Sequence, residues 1–331
     1  MDEREQLIIS VANTIKGYRK GQIEEPTTNH VDEWLKQFTS KNQLPFIREF
    51  DHVLRKSYIT QEKVKLYFSH LIKNYPSPHW DSAYEFWSSA CFMNIQLRGQ
   101  SQCELREVMA RCLNQELDVD IRQAALDTNT FIYVDDVIFT GLRLRLDLEE
   151  WIKFAPEFCT VYVVTLARHS SSYYVPKRIR NAARELGKNI TVCYIDNFVI
   201  ENRRSKRSES GVLWPSFIPA EEELHDRYDP KNISFPLRRV ARKSVEPFSR
   251  QDKRSILEEE FLIAGAKIAA KCSDQYWKPL GFSRYEPGFG SVIASYRNCP
   301  NNCPLALWWG DGGNSGNAAL NWYPLLPRNG Y

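Results

Sequence analysis

Two adjacent carboxylates, Asp135 and Asp136, close an apolar run of Phe131, Ile132, Tyr133 and Val134, and Phe139, Thr140 and Gly141 follow shortly after. An apolar strand that ends in acidic residues, turns at a glycine and enters a helix is a ligand-binding arrangement, because ligands of open parallel sheets sit outside the carboxyl ends of the strands. The free N–H groups and positive dipole end of a helix N-terminus suit a phosphate. Gly141 lets the backbone approach such an anion, Thr140 offers a hydroxyl, and Leu142 and Arg143 open the helix. Two carboxylates beside a phosphate repel it unless they face hydroxyl groups or a metal ion. A phosphorylated sugar with free hydroxyls satisfies both demands. The plainer alternative is a solvated acidic turn followed by a glycine break.

A second stretch, Arg98-Gly99-Gln100-Ser101, follows the apolar residues 91–97. By itself it reads as an ordinary strand-to-helix turn. Beside the acidic motif it also reads as an anion loop, with Arg98 able to pair bidentately with phosphate oxygens. Arg168 and His169 follow the β-rich run 160–166, and Asp196 follows the run 190–195. All three fall at strand ends on the same edge and are candidate ligand contacts.

The elements that must position these groups are legible from periodicity. Residues 1–78 form a helical region: apolar positions recur at helical spacing over 6–18, 31–38, 46–54 and behind an N-cap at Thr60. Tyr75-Pro76-Ser77-Pro78 breaks the last of these. Over 79–200, short apolar strands (91–97, 131–134, 160–166, 190–195) alternate with helices (103–113, 142–154, 176–186). This alternation predicts an α/β fold with a parallel sheet covered on both faces. Gly187 suits the position just past a helix end. Residues 201–254 are polar and basic, with Arg203, Arg204, Lys206 and Arg207 in one run and Arg238, Arg239, Arg242 and Lys243 in another. They read as an insert whose charges are either solvated or offered to nucleic-acid phosphates. Residues 255–331 predict a helix over 255–272, strands over 291–296 and 305–309, and a glycine-rich loop over 310–316, completing the domain.

Composition narrows the class. The 331 residues are 43% hydrophobic, 13% aromatic and 26% charged, which excludes disorder as the overall state. A net charge of +3 gives no global nucleic-acid signature. Eight cysteines are too few for a disulfide scaffold. Cys299 and Cys303 form one close pair, with Cys272 upstream and no histidine nearby, so ordinary thiols are expected rather than a zinc site. Trp308, Trp309 and Trp322 fit core or interface packing better than base stacking. No apolar segment reaches membrane-spanning length and the first residues are charged, so a cytoplasmic protein without membrane contact is expected.

At the acidic motif the sequence resembles the type I phosphoribosyltransferase family, whose signature is an apolar strand, two acidic residues, a short apolar or hydroxyl stretch, then Thr-Gly. The resemblance implies a type I phosphoribosyltransferase-like parallel sheet flanked by helices, with an N-terminal helical region and a C-terminal extension. It implies that Asp135 and Asp136 reach the ribose 2′ and 3′ hydroxyls. It implies that Phe139, Thr140, Gly141, Leu142 and Arg143 wrap the 5-phosphate of phosphoribosyl pyrophosphate (PRPP), or of a related nucleotide. Arg98, Gly99, Gln100 and Ser101 would take the pyrophosphate, accompanied by Mg²⁺ with no protein ligand directly assigned. Members of that family place a mobile flap where this chain has only residues 114–130. The helical front and the tail from Cys303 to Arg328 further resemble the phosphoribosyltransferase-like domains of bacterial conflict (anti-phage) systems, including some retrons, which implies a protein partner from the same operon. The resemblance leaves three functions open: an effector acting at ribose C1, a PRPP- or nucleotide-sensing regulatory module without catalysis, and a structural or nucleic-acid-contacting subunit.

Overall fold

The computed structural model describes residues 1–74, 81–96, 101–121, 128–200, 211–228, 234–240, 246–313 and 316–328. The predicted break at Tyr75–Pro78 and the residues Arg98, Gly99 and Gln100 lie outside the described residues. So do Arg203, Arg204, Lys206, Arg207, Arg242 and Lys243. The chain divides into two compact units, one built from Met1–Gln61 with Glu201–Tyr331, the other from Glu62–Ile200.

The first unit starts with α1 (Glu3–Ile15), α2 (Thr28–Leu35), α3 (Gln43–Ser57) and the short strand β1 (Tyr58–Ile59). Asp2 caps α1 in a reciprocal capping box with Glu5, so orphan first-turn amides are satisfied before the apolar face begins. Thr27 caps α2 through the His30 amide.

The second unit runs α4 (Gln61–Asn74), α5 (Ala83–Ser89), β2 (Cys91–Phe92), α6 (Ser101–Leu117), β3 (Thr130–Ile138), α7 (Leu142–Trp151), β4 (Phe158–His169), α8 (Val175–Glu185), β5 (Asn189–Asp196) and β6 (Val199–Ile200). Its sheet is parallel throughout, in the order β2-β3-β4-β5, with β6 pairing the far end of β4. Alternate strand residues serve opposite faces. Tyr133, Val161, Val163, Ile190 and Val192 pack with Leu144 and Leu148 of α7 and Val175 and Ile179 of α8. Ile132, Val134, Val164 and Leu166 are equally buried on the other face, where Phe86 of α5 meets Tyr162 edge-on. A strand buried on both faces has no polar side, which is why these runs read as continuously apolar. Pro176 lies in the first turn of α8, and Gly187 at φ +72° ends it, with Lys188 N–H returning to the Ala183 carbonyl.

The first unit is completed by α9 (Glu222–Arg227), α10 (Gln251–Ala269), β7 (Ala294–Ser295) and α11 (Leu305–Trp308). Its interior is aromatic: Trp34, Phe46 and Phe50 cluster around Phe261 of α10. Trp308 and Trp309 are buried, and Trp322 meets Phe38 edge-on. Cys299 and Cys303 are buried thiols, and burial pushes Cys299 well above the ordinary thiol range.

Three expectations need correction. Leu305–Trp308 is one helical turn opened by Pro304, not a strand. Four consecutive buried residues carry no periodicity to tell helix from strand. Within 291–296 only Ala294 and Ser295 pair, with Tyr58 and Ile59. The strand after α5 covers Cys91–Phe92 and does not run on through 93–96, where the backbone amides of Ile95 and Gln96 bond to a side chain of α6; Leu97 lies outside the described residues. Among the described residues, no helix is long and apolar enough to cross a membrane.

Candidate functional site

The carboxyl ends of β3, β4 and β5 form one edge of the second unit. β3 extends four residues beyond Val134, so the acidic pair lies within the strand. Pairing with the twelve-residue β4 continues as far as Ile138 opposite Arg168. Asp135 stands opposite Thr165, which stands opposite Asp196. The Thr165 hydroxyl donates to the Asp136 carbonyl at 2.8 Å, which ties the acidic pair to the central strand.

Asp135 is buried at 6% exposure, while Asp136 is half-buried. Asp135 Oδ1 accepts from the Ser101 hydroxyl at 2.8 Å and from the Asp136 amide at 3.0 Å. An Asp136 oxygen accepts from the Val137 amide at 2.7 Å. Burial, with the charge of Asp136 beside it, pushes the Asp135 carboxyl up to about 7, against the opposing pull of Ser101, the Asp136 amide and the Arg143 guanidinium. Asp135 therefore exchanges a proton near neutrality, a property suited to proton transfer as well as to hydroxyl binding.

Phe139, Thr140 and Gly141 link β3 to α7. Gly141 caps the helix at φ +71°, and a Cβ there would lie 2.6 Å from Val175 Cγ2 and 3.1 Å from Ser172 Cβ. Glycine is required on both counts. Thr140 is exposed, and its hydroxyl takes the Leu142 amide at 3.3 Å. The next amides of the first turn need acceptors from outside the helix. Leu142 and Arg143 are exposed at that turn.

A 3-10 turn over Ser170–Ser172 supports this loop from below. The Ser171 hydroxyl donates to the Phe139 carbonyl at 2.9 Å and lies 2.8 Å from His169 Nδ1, which also accepts the Ser171 amide. His169 is buried, and burial pulls its imidazole down to about 4, so it is neutral at physiological pH. Arg168 pairs with Asp196 at 2.8 Å and lies over the Tyr194 ring at 4.4 Å.

The structure thus brings together Ser101, Asp135, Asp136, Phe139, Thr140, Gly141 and Arg143. Arg168 and Asp196 lie on the same edge, paired with each other. His169 meets the loop through Ser171. Sequence reasoning missed Ser171 and Thr165, whose parts depend on strand register, and the part that Gln96 plays beside the Arg98–Ser101 stretch.

Among the described residues, no three His, Cys, Asp or Glu side chains cluster closely enough to cage an ion. The carboxylate oxygens of Asp135 and Asp136 are hard donors of the kind that suit Mg²⁺. In comparisons with known proteins, one family model, PRTase-CE, describing a phosphoribosyltransferase-like domain, matches residues 31–328. No curated protein matches the chain.

Proposed function

Because the chain belongs to the PRTase-CE family of phosphoribosyltransferase-like domains, we propose that the β3 edge binds PRPP or a related ribose-phosphate nucleotide with Mg²⁺ and acts at ribose C1. In this reading Asp135 and Asp136 accept hydrogen bonds from the ribose hydroxyls. The Phe139–Gly141 loop and the first turn of α7 receive the 5-phosphate, with Arg143 adding positive charge. Residues 98–101 receive the pyrophosphate. Bond breaking at C1 develops oxocarbenium character, and catalysis then depends on rigid placement of the sugar and neutralisation of the departing charge. Mg²⁺ on the diphosphate oxygens would supply part of that neutralisation. The setting proposed is bacterial antiviral defence, with a protein partner from the same operon.

The observation that carries the proposal is a buried and a half-buried carboxylate side by side at a strand's carboxyl end, followed within five residues by a left-handed glycine that opens a helix. A titration of the melting temperature with PRPP, with and without Mg²⁺, tests it. A ligand at 100 times its Kd stabilises the native state by about 2.7 kcal/mol. A Mg²⁺-dependent rise that disappears in the Asp135→Asn/Asp136→Asn double variant is the expected result. No rise at millimolar PRPP, with NAD and nucleoside triphosphates equally silent, refutes the site.

A second reading, ligand sensing without turnover, draws on one specific feature. α6 runs on to Leu117 and β3 begins at Thr130, so only residues 118–129 stand where the family's flap is placed. Lid closure excludes water and completes the site in many enzymes. Tight PRPP binding with no product from any base or nucleotide offered would favour the sensor.

A further inference from the structure

Gln102 is the second residue of α6 and is fully buried. Its Oε1 accepts two backbone amides, from Ile95 at 2.8 Å and from Gln96 at 2.9 Å. Gln96 returns the contact, its own Oε1 accepting the Gln102 amide at 3.1 Å. Each glutamine thus takes the other's backbone N–H, a capping-box arrangement stretched across six positions. The bonds fix both ends of the stretch that joins β2 to α6.

Ser101 lies inside this clamp, and hydrogen counting orients it. Its hydroxyl has one hydrogen and accepts from Gln96 Nε2 at 3.1 Å. Donation to Asp135 Oδ1 at 2.8 Å is shorter than donation to Gln96 Oε1 at 3.4 Å, and that glutamine oxygen is already engaged by the Gln102 amide. The consistent order is Gln96 Nε2–H to Ser101 Oγ–H to Asp135 Oδ1, a chain in which each bond polarises the next. Asp135 Oδ1 also takes the Asp136 amide, whereas Asp135 Oδ2 has no hydrogen-bond partner among the described residues. Oδ1 is thereby held by two donors of the protein.

We propose that Gln96 and Gln102 are positioning residues that hold the Ser101 hydroxyl on Asp135 and thereby fix the carboxylate that receives the ribose. The last clause rests on the proposed function; the positioning itself does not. Ser101 thus orients Asp135 in addition to lying at the end of the 98–101 stretch. The other groups facing Asp135 are Asp136 and Tyr133 on β3 and Arg143 on α7, and none of them is altered by changes at 96, 101 or 102.

The test is a carbon-13 carboxyl titration of Asp135 in the ligand-free full-length protein, the resonance being assigned by its loss in Asp135→Asn. A hydrogen bond to the ionised form lowers a carboxyl pKa, so its loss raises it. Ser101→Ala should move the midpoint up by about 0.5 pH units or more. Gln96→Ala and Gln102→Ala should move it in the same direction, and Ser101→Thr, which keeps the hydroxyl, should leave it at the parent position. Should buried Gln102→Ala fail to fold, the half-buried Gln96→Ala decides the matter alone. Calorimetric titration with Mg²⁺ and PRPP should then show about tenfold weaker binding in Gln96→Ala. A midpoint that moves in Ser101→Ala but not in either glutamine variant overturns the proposal. If the parent binds no PRPP, the ribose-phosphate assignment fails, and the carboxyl titration still decides the positioning.

Discussion

Asp135 couples stability to pH through a single side chain. Its folded-state value near 7 lies above the ordinary carboxylate range because of burial and the neighbouring charge of Asp136. A raised carboxyl favours the folded state fully below about pH 4, where it is protonated in both states, and that contribution is lost as pH rises through 7. The upper bound on the loss is about 4 kcal/mol, because each tenfold change in proton affinity is worth roughly 1.4 kcal/mol. Asp135→Asn keeps an acceptor oxygen for Ser101 and cannot ionise. The variant should be more stable than the parent at pH 8, with the difference shrinking towards pH 4, in paired denaturant melts across that range. A constant difference between the two curves would contradict the burial of a titrating carboxyl. His169 behaves oppositely as a group: held neutral by burial, it serves Ser171 as a neutral partner and brings no cation to the phosphate loop.

At the scale of elements, the β3–loop–α7 connection works because the loop is short and shaped from beneath. Gly141→Ala would place a Cβ against Val175 and Ser172 at a left-handed φ. Left-handed strain contributes about 1–2 kcal/mol and overpacking about 1–3 kcal/mol. A loss of roughly 2–4 kcal/mol in urea denaturation is expected, together with loss of PRPP binding even at temperatures where the variant is folded. The sheet was legible in the sequence because its strands are buried on both faces, so the runs around Ile132, Val163 and Val192 stand out from the helices. The acidic pair and Gly141 stood out in the sequence because an apolar strand leads into them and a helix follows. The length of β3 was not, since pairing beyond Asp135 is set by the length of β4. Ser171 and the glutamine clamp left no trace, because side-chain bonds to a distant carbonyl or to loop amides have no sequence period. Leu305–Trp308 misled because an all-apolar turn looks the same in either geometry.

At the scale of the whole molecule, the first unit holds a densely charged interior point. Glu258 on α10 accepts from Arg254 at 2.7 Å, from Arg238 at 2.7 Å and from the Trp214 amide at 2.9 Å, with all three charged side chains at 1% exposure or less. Arg238, read in sequence as part of a basic run, is thus committed to the interior. Two guanidiniums share one carboxylate there, so Glu258→Gln removes the charge that both are paired with, and breaking such a buried pair costs about 3–5 kcal/mol. Denaturant unfolding followed by tryptophan fluorescence should register that loss, and a change below about 0.5 kcal/mol, the level of an ordinary surface substitution, would mean the charges are solvated. The chain path has a further consequence for synthesis. The second unit is continuous from 62 to 200, whereas the first requires 1–61 together with 201–331. On the ribosome, Trp34, Phe46 and Phe50 emerge early and then wait for Phe261, roughly ten to forty seconds at about 5–20 residues per second. Throughout that interval the newborn N-terminal helices carry an uncovered aromatic face while the sheet behind them can already close, so a fragment of residues 62–200 should melt cooperatively and one of residues 1–61 should be captured by chaperones.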